Sequence, residues 1–155
     1  MSMKSKQGFS IFELFVVVVL INIITAVAIP SIQRFYRTYK YIEYASRMEH
    51  TVRWARIIAM ERSINVSVCI EENNRITVRN MGTSRAYPCI GEEITHFDTE
   101  GNNFISISGS DVSFDPKGFA IQPGNVCITN GSSYTRAVIS RFGAIRLERG
   151  SGTCT

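Results

Sequence analysis

Glu13 is the single charged residue in FSIFELFVVVVLINIITAVAI, residues 9–29. A carboxylate inside a membrane-length helix costs on the order of 3 kcal/mol unless something pairs with it. Glu13 is therefore expected to have either a partner or a task. Other groups able to do chemistry are sparse. Cys69, Cys89, Cys127 and Cys154 all follow the apolar run, and none stands in a Cys-x-x-Cys pair. Only His50 and His96 could join them, so the closely spaced ligand pairs that zinc needs are missing and no metal site is expected. An even count suits two disulfides in an exported domain; the alternative is four buried thiols in a cytosolic protein. Three pairings are open. Cys69–Cys89 and Cys127–Cys154 are preferred because each closes a local loop, worth roughly 3–4 kcal/mol in the chain-entropy view. In HFDTEGNN, Asp98, Glu100 and Asn102 alternate oxygen donors like a calcium loop. That loop's sixth-position glycine and twelfth-position glutamate are replaced by Asn103 and Gly109. No Gly-x-Ser-x-Gly, His-Glu-x-x-His or phosphate loop is present. The expectation is no catalytic residues, no enzymatic activity and no cofactor.

The elements that must position these residues fall into two regimes. MSMKSKQG is short and basic, and the 21 apolar residues after it span about 31 Å as a helix, enough to cross a bilayer. The upstream lysines, Lys4 and Lys6, place the short end in the cytoplasm. A secretory signal would have a shorter apolar core followed by small residues at a cleavage site. Here the run passes straight into more helix, with Pro30 expected to bend or open it. Formal charge is +4, and falls to +2 without residues 1–8 (15 basic against 13 acidic residues), too little to argue for nucleic acid. From Ser31 to Arg62 there is no Gly or Pro. Ile32, Phe35, Tyr39, Ile42, Ala45, Met48, Val52, Ala55 and Ala59 recur at steps of three and four, a helical stripe. One helix of about 80 Å is predicted from Phe9 to near residue 62. Phe35, Tyr36, Tyr39, Tyr41, Tyr44 and Trp54, interleaved with basic residues, admit a base-stacking role. Packing against a sheet is favoured, since helical spacing accounts for most of them.

The N-terminal residues resemble the type IV prepilin family. In that family a membrane peptidase cuts after a glycine, here Gly8, and the new first residue, here Phe9, is N-methylated. A glutamate stands fifth in the mature chain, which is Glu13, and a proline twenty-second, which is Pro30. The resemblance implies a leader over 1–8, a transmembrane and filament-core helix over 9–29 and an amphipathic helix over 30–62. It also implies that Glu13 pairs with the α-amino group of Phe9 in a neighbouring subunit and so fixes the axial stagger. Implied partners are other minor and major pilins, the prepilin peptidase and N-methyltransferase, an inner-membrane assembly platform and inner-membrane lipid.

After Arg62 the hydrophobic period changes from 3.6 to 2. INVSVCI and RITVRN read as a hairpin with Ile64, Val66, Val68 and Ile70 on one face. FISIS (104–108), VSFD (112–115), GFAI (118–121), NVCIT (125–129), RAVISR (136–141) and AIRLE (144–148) read as further strands, with loops at 82–103 and 130–135. The fold class is α+β: a long N-terminal helix packed on an all-β head over 63–155, the pilin fold on the resemblance above. RAVISRFGAIRLERG is similar to the closing strand of GspH/FimT-type minor pilins and pseudopilins. Their Gly-Arg-x-Arg-like segment corresponds to Gly143-Ala144-Ile145-Arg146, with alanine at the first arginine position. Arg136, Arg141, Arg146 and Arg149 keep this region basic. The resemblance implies a minor type IV pilin of the FimT/FimU kind, made at the inner membrane with its head in the periplasm and then carried in a surface pilus. Two alternatives stand beside it. One is an H-type minor pseudopilin of type II secretion; the other is a competence-pilus subunit binding double-stranded DNA through Arg141, Arg146 and Arg149.

Overall fold

A computed structural model of the chain describes residues 10–72, 74–86, 88–99 and 101–154. Gly8, Phe9 and Glu100 lie outside the described residues, as does the leader over 1–8. The chain divides into two compact units, one ending at Tyr39 and one running from Lys40.

Helix α1 (Ile11–Arg62) starts where Ser10 caps it, the Phe12 N–H donating to Ser10 Oγ at 3.3 Å. Pro30 lies inside α1 without ending it. The helix stops at Ser63, which takes a left-handed φ of 53° while the Ile64 N–H donates to the Ala59 carbonyl at 3.2 Å. That pairing closes a helix end by satisfying an otherwise orphaned carbonyl.

In the second unit α1 buries Tyr41, Tyr44, Met48, Val52, Ala55, Ile58 and Ala59. This corrects the predicted stripe at its start, since Tyr39 and Ile42 are exposed. Both sets fit steps of three and four; hydrogen bonding selects the tyrosines. Tyr41 Oη lies 2.8 Å from Thr135 Oγ1, and Tyr44 Oη donates to the Thr99 carbonyl at 3.1 Å and accepts from Asn102 Nδ2 at 2.7 Å. A buried hydroxyl with a partner is tolerated where an unpaired one would cost 1–3 kcal/mol.

The strands are β1 (Asn65–Glu71), β2 (Arg75–Gly82), β3 (Glu92–Asp98), β4 (Ser106–Gly109), β5 (Val112–Phe114), β6 (Ala120–Gln122), β7 (Gly124–Thr129), β8 (Ser133–Ile139) and β9 (Ile145–Ser151). They form two antiparallel sheets, ordered β3-β2-β1-β5-β6 and β4-β7-β8-β9. Val66, Val68, Ile76, Val78, Val112 and Phe114 of the first sheet share one core with Val126, Ile128, Ala137 and Ile139 of the second and with the helix. The hairpin is β1–β2, in register at Val68 and Val78.

Two differences from the sequence expectation have physical causes. Strand β3 occupies what reads as loop, and β8 begins within the expected loop 130–135. The outer face of β1 is also buried, at Asn65, Ser67 and Cys69. The segment after β2 folds over it. Asn65 Nδ2 donates to the Ser84 carbonyl at 2.8 Å, the Cys89 N–H donates to Ser67 Oγ at 3.3 Å, and Cys69 is disulfide-bonded to Cys89.

Candidate functional site

In the first unit the large apolar side chains from Ile11 to Phe35 lie on the surface of the chain, and the helix carries a stretch long and apolar enough to cross a membrane. Its few polar groups are mostly satisfied from within. Asn22 Nδ2 donates to the Val18 carbonyl at 2.8 Å, and Thr25 Oγ1 to the Ile21 carbonyl at 2.9 Å. Such back-bonding is what a helix in lipid requires of its polar side chains. Glu13 differs. It lies in the first turn, where the helix dipole favours an anion, yet its carboxylate has no side-chain or backbone partner among the described residues. Any cation that answers it comes from outside the described chain.

In the head the cysteines form two bonds, Cys69–Cys89 with Cα atoms 5.5 Å apart and Cys127–Cys154 with Cα atoms 6.2 Å apart. The second ties the chain end to β7. Among the described residues the only group of three metal-ligating types in reach of one another is Cys69, Cys89 and Asp111. Its sulfurs are in the disulfide, and Asp111 Oδ1 accepts the Ile70 N–H at 2.9 Å, so it offers no thiolate. Asn102 of the calcium-like stretch donates its amide Nδ2 to Tyr44 Oη at 2.7 Å and to the Thr99 carbonyl at 2.8 Å.

The basic closing region does not form one patch. Arg149 is opposite Thr135, whose hydroxyl meets the helix, whereas Arg146 is opposite Val138. Three residues apart on a strand, Arg146 and Arg149 face opposite sides of the sheet. Arg149 lines a cleft of about 530 Å³ with Tyr41, Ala45 and Glu49. Arg146 is exposed and held by Glu148 at 2.6 Å. Arg136 lies over the Tyr134 ring, 5.5 Å from its centroid, and Arg141 occupies the turn after β8.

That turn shows what Gly143 does. Its φ is 74°, and a Cβ there would meet the Gly118 carbonyl and come within 3.2 Å of Arg56 Nε. Arg56 Nε itself donates to the Gly118 carbonyl at 3.0 Å. The glycine of the closing segment is thus needed for a contact between two turns and the helix.

His50 and His96 stand on α1 and β3, far apart in sequence, and the fold brings them to one cleft. His50 and His96 line a space of about 540 Å³ with Arg47 and Asp98, between α1 and the edge strand β3. His96 Nδ1 lies 2.7 Å from Glu93 Oε1, and Arg75 Nη2 donates to that same oxygen at 2.9 Å. The His96 hydrogen bond, helped by Arg75 against partial desolvation, holds the Glu93 carboxyl below its ordinary range. Without the position of β3, no sequence signal joined these residues.

Comparison with known proteins places this geometry. A sequence model of the family described as Type II transport protein GspH matches residues 44–143. No curated protein matches the sequence. Among solved structures, the type IV minor pilin FimU of Pseudomonas aeruginosa PAO1 aligns with a TM-score of 0.58 at 16% identity, covering 74% of this chain and 92% of that one. The minor pseudopilin EpsH of the Vibrio cholerae type 2 secretion system aligns with a TM-score of 0.54 at 13% identity, covering 70% and 96%. At such identities the likeness is one of fold. The long helix on an antiparallel head is the fold that both structures have.

Proposed function

The chain belongs to the GspH family of type II transport proteins, and from that premise we propose that it is a minor type IV pilin, cleaved after Gly8, N-methylated at Phe9 and assembled with other pilins to initiate or cap a pilus. The observation that carries the reading is Glu13. It is the one charged side chain in a membrane-length apolar stretch, and Asn22 and Thr25 of that stretch find partners within the helix while Glu13 finds none among the described residues. A carboxylate in that setting is answered by a cation from another molecule. The α-amino group of Phe9 in a neighbouring subunit supplies one at low dielectric, where the pair sets the stagger between helices. Residues 9–29 then pack in a bundle, and the head stands in the periplasm until the filament carries it to the surface.

An H-type minor pseudopilin is the second reading, favoured by the family's own description. It uses the same helix chemistry. The DNA-uptake reading has less behind it, because Arg146 and Arg149 leave β9 on opposite faces and Arg146 is already paired.

Intact-mass and N-terminal analysis of the chain from membranes and from sheared filaments is the test. We expect a chain beginning at methylated Phe9 in both fractions, and a Glu13→Ala chain that is cleaved yet missing from filaments. An uncleaved chain that stays in the membrane would overturn the reading. Loss of twitching without loss of protein secretion on deletion selects the pilus; the reverse selects the secretion filament.

A further inference from the structure

Where the end of α1 meets the turns 115–119 and 140–143, four large apolar side chains lie exposed: Phe142 at 76%, Ile57 at 53%, Phe119 at 46% and Met60 at 40%. They surround one contact. A Cβ on Gly118 would come within 2.8 Å of Met60 Sδ, and one on Gly143 would strike the Gly118 carbonyl. Phe119 and Phe142 are the chain neighbours of those two glycines, and Ile57 lies one turn from Met60 on the same side of the helix.

Both turns are tied by hydrogen bonds. Asp115 is buried, and its Oδ1 accepts the N–H groups of Lys117 and Phe119, each at 2.9 Å. The Gly143 N–H donates to the Ser140 carbonyl at 2.9 Å, the Ser140 N–H to the Ala144 carbonyl at 3.0 Å, and the Ala120 N–H to the Arg141 carbonyl at 3.2 Å. Aromatic side chains held on pre-set turns lose little freedom on binding, the condition under which a few residues dominate an interface.

The charge at the rim is one-sided. Lys117 and Arg141 sit at the tips of the two turns, and neither has a carboxylate partner among the described residues. Glu61 and Arg62 at the helix end offset each other in sign. Two of the four apolar groups, Ile57 and Met60, are aliphatic and give a nucleic-acid base nothing to stack on. An apolar centre with a basic rim has the anatomy of a protein interface.

We propose that this surface docks another pilin-like subunit, through an apolar head surface on that subunit flanked by aspartate or glutamate. The inference rests on the filament reading above and names the head contact it requires.

The test uses the full chain in its own cells, with a photoreactive phenylalanine analogue at position 142 or, as control, at the exposed Ser132. The expected result is a cross-link from 142, and not from 132, to one protein that mass spectrometry identifies as carrying a prepilin-type N-terminus, with acidic residues in the linked peptide. Lys117→Glu combined with Arg141→Glu should lower the yield about tenfold or more, as opposing charge pairs at an interface do, while the melting temperature of the chain stays unchanged. Filament recovery separates the two readings. A chain found in filaments with no cross-link from 142 overturns this inference and leaves the filament reading standing. A chain absent from every filament overturns both. A cross-link to DNA or lipid, equal yields from both positions, or a yield indifferent to the charge reversals likewise overturns the docking surface.

Discussion

The two stretches of α1 share one conformation and differ in what answers their side chains. Up to Tyr39, large apolar residues such as Phe12, Leu20, Val27 and Phe35 are exposed; from Tyr41 onward Tyr44, Met48 and Val52 are sealed in the head. The first exposes its side chains on every side and the second buries one face, so helix formation alone explains neither. The second stretch is stabilised by its own sheet. On the filament reading the first takes its stabilisation from a bilayer or from neighbouring helices.

One pair of substitutions breaks that comparison most sharply. Val52→Asp places an unpaired charge in the core, and should cost at least about 4 kcal/mol. For a domain of this size that lowers the melting temperature by roughly 20 °C. Val17→Asp should leave head melting unchanged and weaken partition into membranes, at a cost on the order of 3 kcal/mol. Calorimetry and membrane fractionation of both variants check this. A head that unfolds on Val17→Asp would mean that the first stretch has a partner in the head.

The head also carries its own covalent ties, which the bare stretch lacks. Replacing Cys127 and Cys154 by alanine should cost about 3 kcal/mol, because the loop they close is then free in the unfolded chain. Reduction of the wild-type protein should shift urea unfolding the same way without changing membrane partition. Within the head a smaller contrast separates two glycines. Gly143 and Gly131 both have positive φ, 74° and 84°, but only Gly143 has atoms where a Cβ would go. Gly131→Ala should cost about 1 kcal/mol for the backbone alone. Gly143→Ala should cost roughly 2–3 kcal/mol, since strain and a clash with the Gly118 carbonyl add. Equal costs in denaturant unfolding would remove the two-turn contact as the reason for that glycine.

The same contrast governs how much the sequence discloses. The apolar stretch is legible from composition, and the helix, hairpin and later strands from a change of period. Strand β3 is not. Its inward residues Ile94 and Phe97 are three apart, because the β2–β3 register shifts between Val78 and Arg79 and an extra residue enters at 94. A bulge erases the alternation by which a strand is recognised. With β3 hidden, the meeting of His50 and His96 was hidden too, since it depends on which strand lies beside the helix. The arginines mislead in the opposite way. Arg141, Arg146 and Arg149 look like one cluster in sequence, and strand geometry then sends two of them to opposite faces. Helical spacing gives Tyr41 and Tyr44 to packing in general, but the choice between them and Ile42 turns on Thr135, Thr99 and Asn102, more than fifty residues away.

The smallest effect concerns two carboxylates, Glu13 without a partner in the described chain and Glu93 with two. His96 first, and Arg75 after it, hold the Glu93 carboxyl below its ordinary range. A group depressed on folding binds its proton more readily in the unfolded chain, so stability rises with pH across that interval. The contribution of Glu93 is present above about pH 4.3, the ordinary glutamate value, and fades as pH falls through its lower folded value. Glu93→Gln should therefore flatten the fall in melting temperature between about pH 6 and pH 3, and His96→Gln should produce most of that flattening because it removes the leading cause. The group is exposed, so the difference is small and shrinks with added salt. Parallel melting curves for wild type and Glu93→Gln would show that the Arg75–Glu93–His96 chain is a surface arrangement with no energetic consequence. The head's stability would then owe nothing to that chain.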